Sequence, residues 1–330
     1  MRGGWLKIHK AHKAGFGYSD FIIFDIENRI DKFLTTRDYC SLHPFNGVFS
    51  AWIDDKLTLK YILNGTELQH YMPDYYFQID TPCSILPLTD CPVKYSEASI
   101  ESIIKLLENK KLLAFKKIKS SLGIGFIKAE FNEEDSTYKL NGEKYNYEEL
   151  DKELHKLKDY LVMELLEPHP QFAKYSSESI GCLRYLIGRR LSGKAVEILS
   201  FMRLGTKKSG SVENYNAGGI LTYVKNGDYK GGHMLDLETN TDIKVEKHPD
   251  TGELIEGKIP KWAEIKSIAF KVAQLLPQMN YMGIDFCITK DDKIKILEIN
   301  SLTSLDTMQL EESVYDMPQG DFFKERLGLL

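Results

Sequence analysis

The chain predicts an α+β fold, and three observations carry that prediction. Residues 283–300 show two runs of period-two alternation around a polar turn, Lys290-Asp291-Asp292-Lys293. Residues 97–110 and 260–276 carry apolar stripes at helical spacing. Short apolar runs at 112–117, 159–166, 183–187 and 196–204 read as strands between them.

Taken in order, Phe21-Ile-Ile-Phe24 reads as a buried strand and Ile30 to Tyr39 as a short helix. Residues 52–63 read as a helix, with Leu57, Leu59, Tyr61, Ile62 and Leu63 apolar, Asp54 or Asp55 as N-cap and Gly65 as terminator. Pro73, Pro82, Pro87 and Pro92 predict an irregular connection over 70–95. The next helix places Ile100, Ile103, Ile104 and Leu107 on one face, with Ser96 as its cap. The strand 112–117 ends in Lys116 and Lys117 and enters a small-residue loop leaving through Gly123-Ile-Gly125, where backbone N–H groups can approach phosphate oxygens. A Gly-x-Gly of this kind is also a common plain turn. Residues 130–158 read as polar, with a helix over 145–158, and Asp159 to Pro170 as a buried strand ending in a proline-bounded turn. Residues 211–219 form a turn-rich loop, and 231–257 a polar excursion with His233 and His248, each either a structural histidine or an acid–base or substrate contact. The last 25 or so residues read as a short helix or tail after the turn at Met317-Pro-Gln-Gly320.

Two features need a charge partner. A turn centred between Asp291 and Asp292 sets Asp285 directly opposite Glu298, on the face that Asn300 shares. Facing carboxylates repel, which a hard divalent cation such as Mg²⁺ would offset; a solvated acidic hairpin is the alternative. Arg184 and Arg203 interrupt apolar strands. Pointing inward, each needs an anion, phosphate or carboxylate, to suit its bidentate fork; pointing outward, each is solvated.

Composition narrows the class. The 330 residues hold 43 Lys and Arg against 48 Asp and Glu, a net charge of −5, so no basic field suits nucleic acid or an anionic membrane. No apolar run approaches the roughly 20 residues a transmembrane helix needs. The basic N-terminus lacks the apolar core of a secretory signal. Five cysteines without a Cys-x-x-Cys pair suggest reduced thiols in a cytoplasmic protein.

Asp285-x12-Glu298-x-Asn300 on the last two strands resembles the metal-binding end of the ATP-grasp superfamily. His248-Pro-Asp-Thr-Gly252 with Gly257-Lys-Ile-Pro-Lys-Trp262, Glu164-Leu-Leu-Glu-Pro-His-Pro170 and 176–184 are similar to the sugar-transfer-associated branch of it. The resemblance implies two α+β lobes clamping ATP after a reduced N-terminal lobe, divided as 1–95, 96–165 and 166–330. It implies that Asp285, Glu298 and Asn300 hold Mg²⁺, and that Lys56 and Lys116 (or Lys117) reach the nucleotide phosphates, Lys116 standing seven residues before Gly123. Gly123 and Gly125 would line the loop, the backbone of Glu164, Leu165 and Leu166 would meet adenine, and Glu164 or Glu167 the ribose. By chemistry alone Lys56 reads as a solvated lysine. Arg184, Arg203 and Asn214, with Gly218 and Gly219, would serve the reaction centre. The implied activity is an ATP-dependent carboxylate–amine ligase acting through an acyl phosphate, on a sugar acid or amino acid of surface polysaccharide synthesis. The alternatives are an ATP-grasp kinase and an ATP-binding protein without turnover.

Overall fold

The computed structural model describes residues 2–26, 33–81, 84–118, 125–176, 179–210, 212–317 and 320–330. They form two compact units: one of residues 55–61 and 70–167, the other of 1–54, 62–69 and 168–330.

The N-terminal segment is helical: α1 (Arg2–Ala14), α2 (Tyr18–Ile23), α3 (Thr36–Ser41), α4 (Ala51–Asp54) and α5 (Lys56–Leu63). The expected strand at Phe21–Phe24 is therefore a helix; a four-residue apolar run fits either period, and here Phe21, Ile23 and Phe24 all enter one core. The expected helix over 30–39 starts later, at Thr36, where the Thr35 hydroxyl accepts the Asp38 N–H at 3.0 Å; residues 27–32 lie outside the described residues. The helix expected over 52–63 breaks at Asp55, whose carboxylate accepts the Thr58 N–H at 2.7 Å.

Residues 70–95 are not irregular. They hold β1 (Tyr75–Thr81) and β2 (Ser84–Pro87), because the prolines flank the strands or end an edge strand instead of interrupting a central one. With β3 (Leu112–Lys117), β4 (Ile127–Asn132), β5 (Thr137–Leu140), β6 (Glu143–Tyr145) and β7 (Tyr160–Glu164), they build an antiparallel sheet in the order β2-β1-β7-β3-β4-β5-β6. The strands β4–β6 were hidden in the polar stretch 130–158 by their exposed, charged side chains. One face is packed by α6 (Ile100–Lys110) and α7 (Tyr147–Leu154), through Ile103, Ile104, Leu107, Leu150 and Leu154. The cap of α6 is Ser99, which accepts the Ser102 N–H at 3.1 Å, rather than Ser96, whose hydroxyl donates to Val93.

The second unit continues with α8 (Pro170–Ala173), β8 (Cys182–Arg189), β9 (Ala195–Leu204), β10 (Ile220–Lys225), β11 (Asp228–Lys230), β12 (Gly232–Asp236), β13 (Thr241–Val245), β14 (Glu256–Lys258), α9 (Trp262–Leu275), β15 (Tyr281–Ile288), β16 (Ile294–Asn300) and α10 (Asp321–Arg326). The stretch 231–257 thus holds β12, β13 and the start of β14. The sheet order is β13-β12-β10-β9-β8-β15-β16, with β11 pairing β10 and β14. Helix α9 packs on one face through Ile265, Ile268, Ala269 and Val272, and Trp262 meets Tyr185. On the other face, Leu186, Phe201 and Tyr281 join Phe24, Tyr39, Phe45 and Phe322 in one core, so the N-terminal segment and α10 cover part of it. The same face also carries Arg184, Arg203 and Asp285.

The turn of the β15–β16 hairpin differs from expectation. Ile288 pairs with Ile294, and a bulge at Leu297 then shifts the register so that Asp285 pairs with Glu298 and Gly283 with Asn300. The expected facing is reached through the bulge rather than through the turn alone.

Candidate functional site

In the seven-stranded unit, Lys116 lies on β3 opposite Leu161 of β7, half-buried, with its ammonium 5.9 Å from the Phe126 ring. Its neighbour Lys117 is exposed and points to the helix-covered side, like Phe115 and Leu113. Gly123 lies outside the described residues. Gly125 adopts φ +77°, and an added Cβ would press on Lys117 and the Tyr160 hydroxyl, both at 3.0 Å. Lys56 is not solvated but buried, 9% exposed, at the first position of α5. Glu164 ends β7; its carboxylate accepts the Asp74 N–H at 3.2 Å, and its own N–H bonds the Asp74 carbonyl at 2.9 Å. Leu165, Leu166 and Glu167 follow as half-buried chain outside any helix or strand.

In the nine-stranded unit, four adjacent strands bring the second set together. Asp285 on β15 pairs with Arg184 on β8 and with Glu298 on β16, a straight row of three residues across three strands. On β9, Arg203 pairs with Cys182, two residues from Arg184 and on the same face. The side chains then converge. Arg184 grips Asp285 with a bidentate fork, Nε to Oδ1 and a terminal nitrogen to Oδ2, the latter at 2.8 Å. Arg203 donates to the same Oδ2 at 2.8 Å, to the Cys182 sulfur at 2.8 Å and to Asn214 Oδ1 at 3.1 Å.

The two charge problems in the sequence thus answer each other. The anion between the arginines is Asp285, and the cations that compensate Asp285 beside Glu298 are the arginines. Asp285 is 1% exposed, and burial alone would raise its pKa; the two guanidiniums outweigh burial and hold it down to about 2. Burial likewise opposes charge on Arg184 and Arg203, and Asp285 outweighs it, raising both. With Glu298 the four side chains sum formally to zero, so the fold can bury them without a ligand. The Arg203 Nε–H is buried and has no hydrogen-bond partner.

Several residues that the sequence left without a role brace this row. A Cβ at Gly283 would stand 2.8 Å from Thr303 Oγ1 and 3.0 Å from Arg184 Cδ, so glycine is what lets the arginine lie across β15. Thr303 accepts from Arg184 at 3.2 Å. Asp54, rather than capping a helix, accepts the Ser301 N–H and hydroxyl at 2.8 and 2.6 Å and fixes the chain just past Asn300. His248 is structural: 1% exposed, its Nε2 bonds the Gly205 carbonyl at 2.9 Å, and Asp250 accepts the Lys207 N–H at 2.7 Å. The Thr206 hydroxyl then donates to the Gly218 carbonyl at 2.8 Å. The His248-Pro-Asp-Thr-Gly252 turn therefore holds the loop that presents Asn214 to Arg203. His233 lies elsewhere, buried against Asp242 at 2.6 Å with Glu311 at 3.5 Å. None of these contacts was visible in local spacing; the unusual glycine two residues before Asp285 was the one local signal.

The donor chemistry at the end of the row suits a hard cation. Glu298 and Asn300 are half-buried, side by side, with the Asn300 amide donating to Glu298 at 3.2 Å, and both carry hard oxygen donors. Asp285 differs from a free ligand, since three of its roughly four acceptor positions are taken by arginine. Among the described residues no three His, Cys, Asp or Glu side chains are grouped to hold a metal on their own.

Among solved structures, the chain is similar to an ADP complex of N5-carboxyaminoimidazole ribonucleotide synthetase PurK (10% identity, TM-score 0.43, covering 84% of this chain and 52% of that one). It is also similar to a D-alanine-D-alanine ligase from Coxiella burnetii (12%, 0.36, 76% and 48%) and an L-amino acid ligase from Bacillus licheniformis (10%, 0.41, 83% and 46%). The chain spans about half the length of these structures. No curated protein sequence matches it. The family profile described as sugar-transfer associated ATP-grasp matches residues 43–317, most of the chain and all of the residues that form the row. The chain belongs to the sugar-transfer-associated ATP-grasp family and has the ATP-grasp fold.

Proposed function

We propose that the protein is an ATP-dependent carboxylate–amine ligase. The observation that carries this reading is the buried Arg184–Asp285–Arg203 bridge, which leaves one guanidinium N–H of Arg203 unpartnered, on the sheet whose edge strand carries Glu298 and Asn300. Lys56, Lys116 and Gly123-Ile-Gly125 would bind the nucleotide phosphates, and Glu164 to Glu167 its base and ribose. Glu298 and Asn300, with the remaining acceptor position of Asp285, would hold Mg²⁺. When bound, the metal would neutralise phosphate charge and orient the terminal phosphoryl group.

A substrate carboxylate would attack the γ-phosphorus, ADP would leave, and an amine would displace phosphate from the acyl carbon to give an amide. The chain supplies positioning and charge. Arg203, fixed by Asn214 and Asp285, would donate Nε–H to an oxygen that gains negative charge during transfer, and Arg184 would keep Asp285 from competing for that donor. The substrate class is a sugar acid or amino acid of surface polysaccharide synthesis, which the family's description supports. Among the described residues no disulfide is formed, which supports a reducing, cytoplasmic setting; no described helix is long and apolar enough to cross a membrane.

The test is a screen of carboxylates for hydroxylamine-trapped hydroxamate with ATP and Mg²⁺. Hydroxamate together with ADP and phosphate is expected for one class of acid. A stable phosphorylated acceptor and no hydroxamate would make the protein a kinase instead.

A further inference from the structure

Away from the arginines, the same unit holds a second charge problem that the fold does not solve. Asp306, in the 3-10 turn Leu305–Met308, is 7% exposed. Its Oδ2 accepts from Asn216 Nδ2 at 3.0 Å, while its Oδ1 is buried with no hydrogen-bond partner, and no lysine, arginine or histidine among the described residues pairs with it. Helix α2 packs against this turn and brings Asp20, whose Oδ2 accepts from the Thr36 hydroxyl at 2.6 Å. Burial, and the charge of Asp306, push the Asp20 carboxyl upward despite that bond. Two neighbouring carboxylates without a cation are costly in an interior unless something cationic joins them.

The place of this pair is informative. Asn216 follows by two residues the Asn214 that receives Arg203, and Asp306 follows by three the Thr303 that receives Arg184. The same two loops therefore hold the arginines at Asn214 and Thr303 and, further along each, join Asn216 to Asp306, whose second oxygen has no partner; Asp20 is brought to them by α2. A divalent ion fits this second position poorly, since no third acidic, histidine or cysteine side chain joins the group among the described residues. An ammonium fits better: its three donors match Asp306 Oδ1, an Asp20 oxygen and a neutral amide or hydroxyl oxygen of Asn216 or Thr36.

We infer that Asp306 and Asp20 form the subsite for a primary ammonium group, the amine-bearing substrate of the reaction. The identification with a substrate rests on the ligase reading above; the cation site itself does not. It would leave the N-terminal helices as substrate-binding elements and bind the amine as its ammonium ion, which must pass a proton to a carboxylate of the pair before its nitrogen attacks the acyl carbon.

Thermal unfolding of the full chain in methylammonium or glycinamide chloride, against sodium chloride at equal ionic strength, tests it. Either amine should raise the wild-type Tm by about 2–4 °C over sodium at saturating concentration. Asp306→Asn should lose that rise and should melt above wild type in sodium chloride, because it no longer buries an unpaired charge. Asp20→Asn supplies the same comparison if Asp306→Asn does not fold. An amine effect that persists in the folded variants, an absent effect in wild type, or a rise produced by Mg²⁺ instead and lost in Asp306→Asn overturns the inference. An amine effect lost in Asp306→Asn, in a protein that forms no amide with any amine, upholds the subsite and removes the ligase reading.

Discussion

In the seven-stranded sheet, Lys128 meets Glu130 at 2.7 Å with their side chains 38% and 32% exposed, and Lys144 meets Asp135 at 2.7 Å with 57% and 43% exposed. In the nine-stranded sheet, Arg203 meets Asp285 at the similar distance of 2.8 Å, with 13% and 2% exposed. The separations are alike and the physics is not. Water screens the first pairs, so each adds little to stability. The second pair has lost its hydration, and each partner is tolerable only while the other is present. Distance therefore says little about what an ion pair does; burial says whether removing one half is a small change or a large one. The buried set also coincides with the residues assigned to chemistry, whereas the exposed pairs dress a sheet whose other face is an ordinary helix-packed core.

The widest gap between the two sheets should appear on cutting their ion pairs. Asp285→Ala leaves two buried guanidiniums facing each other and should destabilise the protein by about 3–5 kcal/mol in denaturant unfolding, provided the transition is two-state. A loss below about 1 kcal/mol would mean that the arginines escape to solvent.

The pair of His233 with Asp242 and Glu311 sharpens the comparison through pH. Burial lowers the histidine pKa, but its bonds to the two carboxylates outweigh burial and raise it. Its stabilisation is then fully present below the ordinary histidine value of about 6.5 and is lost as pH rises through the elevated folded value. His233→Asn should cost about 1.5–3 kcal/mol at pH 6 and flatten the stability–pH curve between pH 6 and 8. A curve of unchanged slope in the variant would contradict that assignment.

Gly283→Ala tests whether Arg184 needs the space over β15. The new methyl group meets Thr303 and Arg184, which should cost about 1–3 kcal/mol and disturb the bidentate fork. A variant that folds and turns over like wild type would show that the arginine has other room. At the low end stands Lys128→Ala, which should change stability by at most about 1 kcal/mol, and less as salt is added.

Much of this was legible in the chain, for reasons that can be stated. The alternation around Asp285 and Glu298 is local, so facing followed from counting, although the count reached the right pairing only because a bulge at Leu297 absorbs a residue. Arginine inside an apolar strand posed a choice between an inward charge and a solvated one, and the burial of Arg184 and Arg203 decides it for the inward one. What the chain could not show was which charge answered it, because Arg184 and Asp285 stand 101 residues apart and Arg203 and Asp285 82 apart. Strands β1 and β2 were masked by prolines at their ends, and β4 to β6 by their exposed charged faces. Residues 1–50 carried no motif because their work is packing: Phe24, Tyr39 and Phe45 join the core on the face that bears the arginines.

The central claim is that Arg203 donates to an anion of the reaction while Asp285 and Asn214 hold it in place. The most direct measurement is ADP release by wild type and Arg203→Leu over paired amino acids or sugar acids and primary amines, with ATP affinity measured separately. The account predicts release that requires both a carboxylate and an amine in wild type. In the variant it predicts a fall of about 100-fold or more in kcat with ATP affinity nearly unchanged. A kcat close to wild type in Arg203→Leu, or a loss confined to ATP binding, would contradict it.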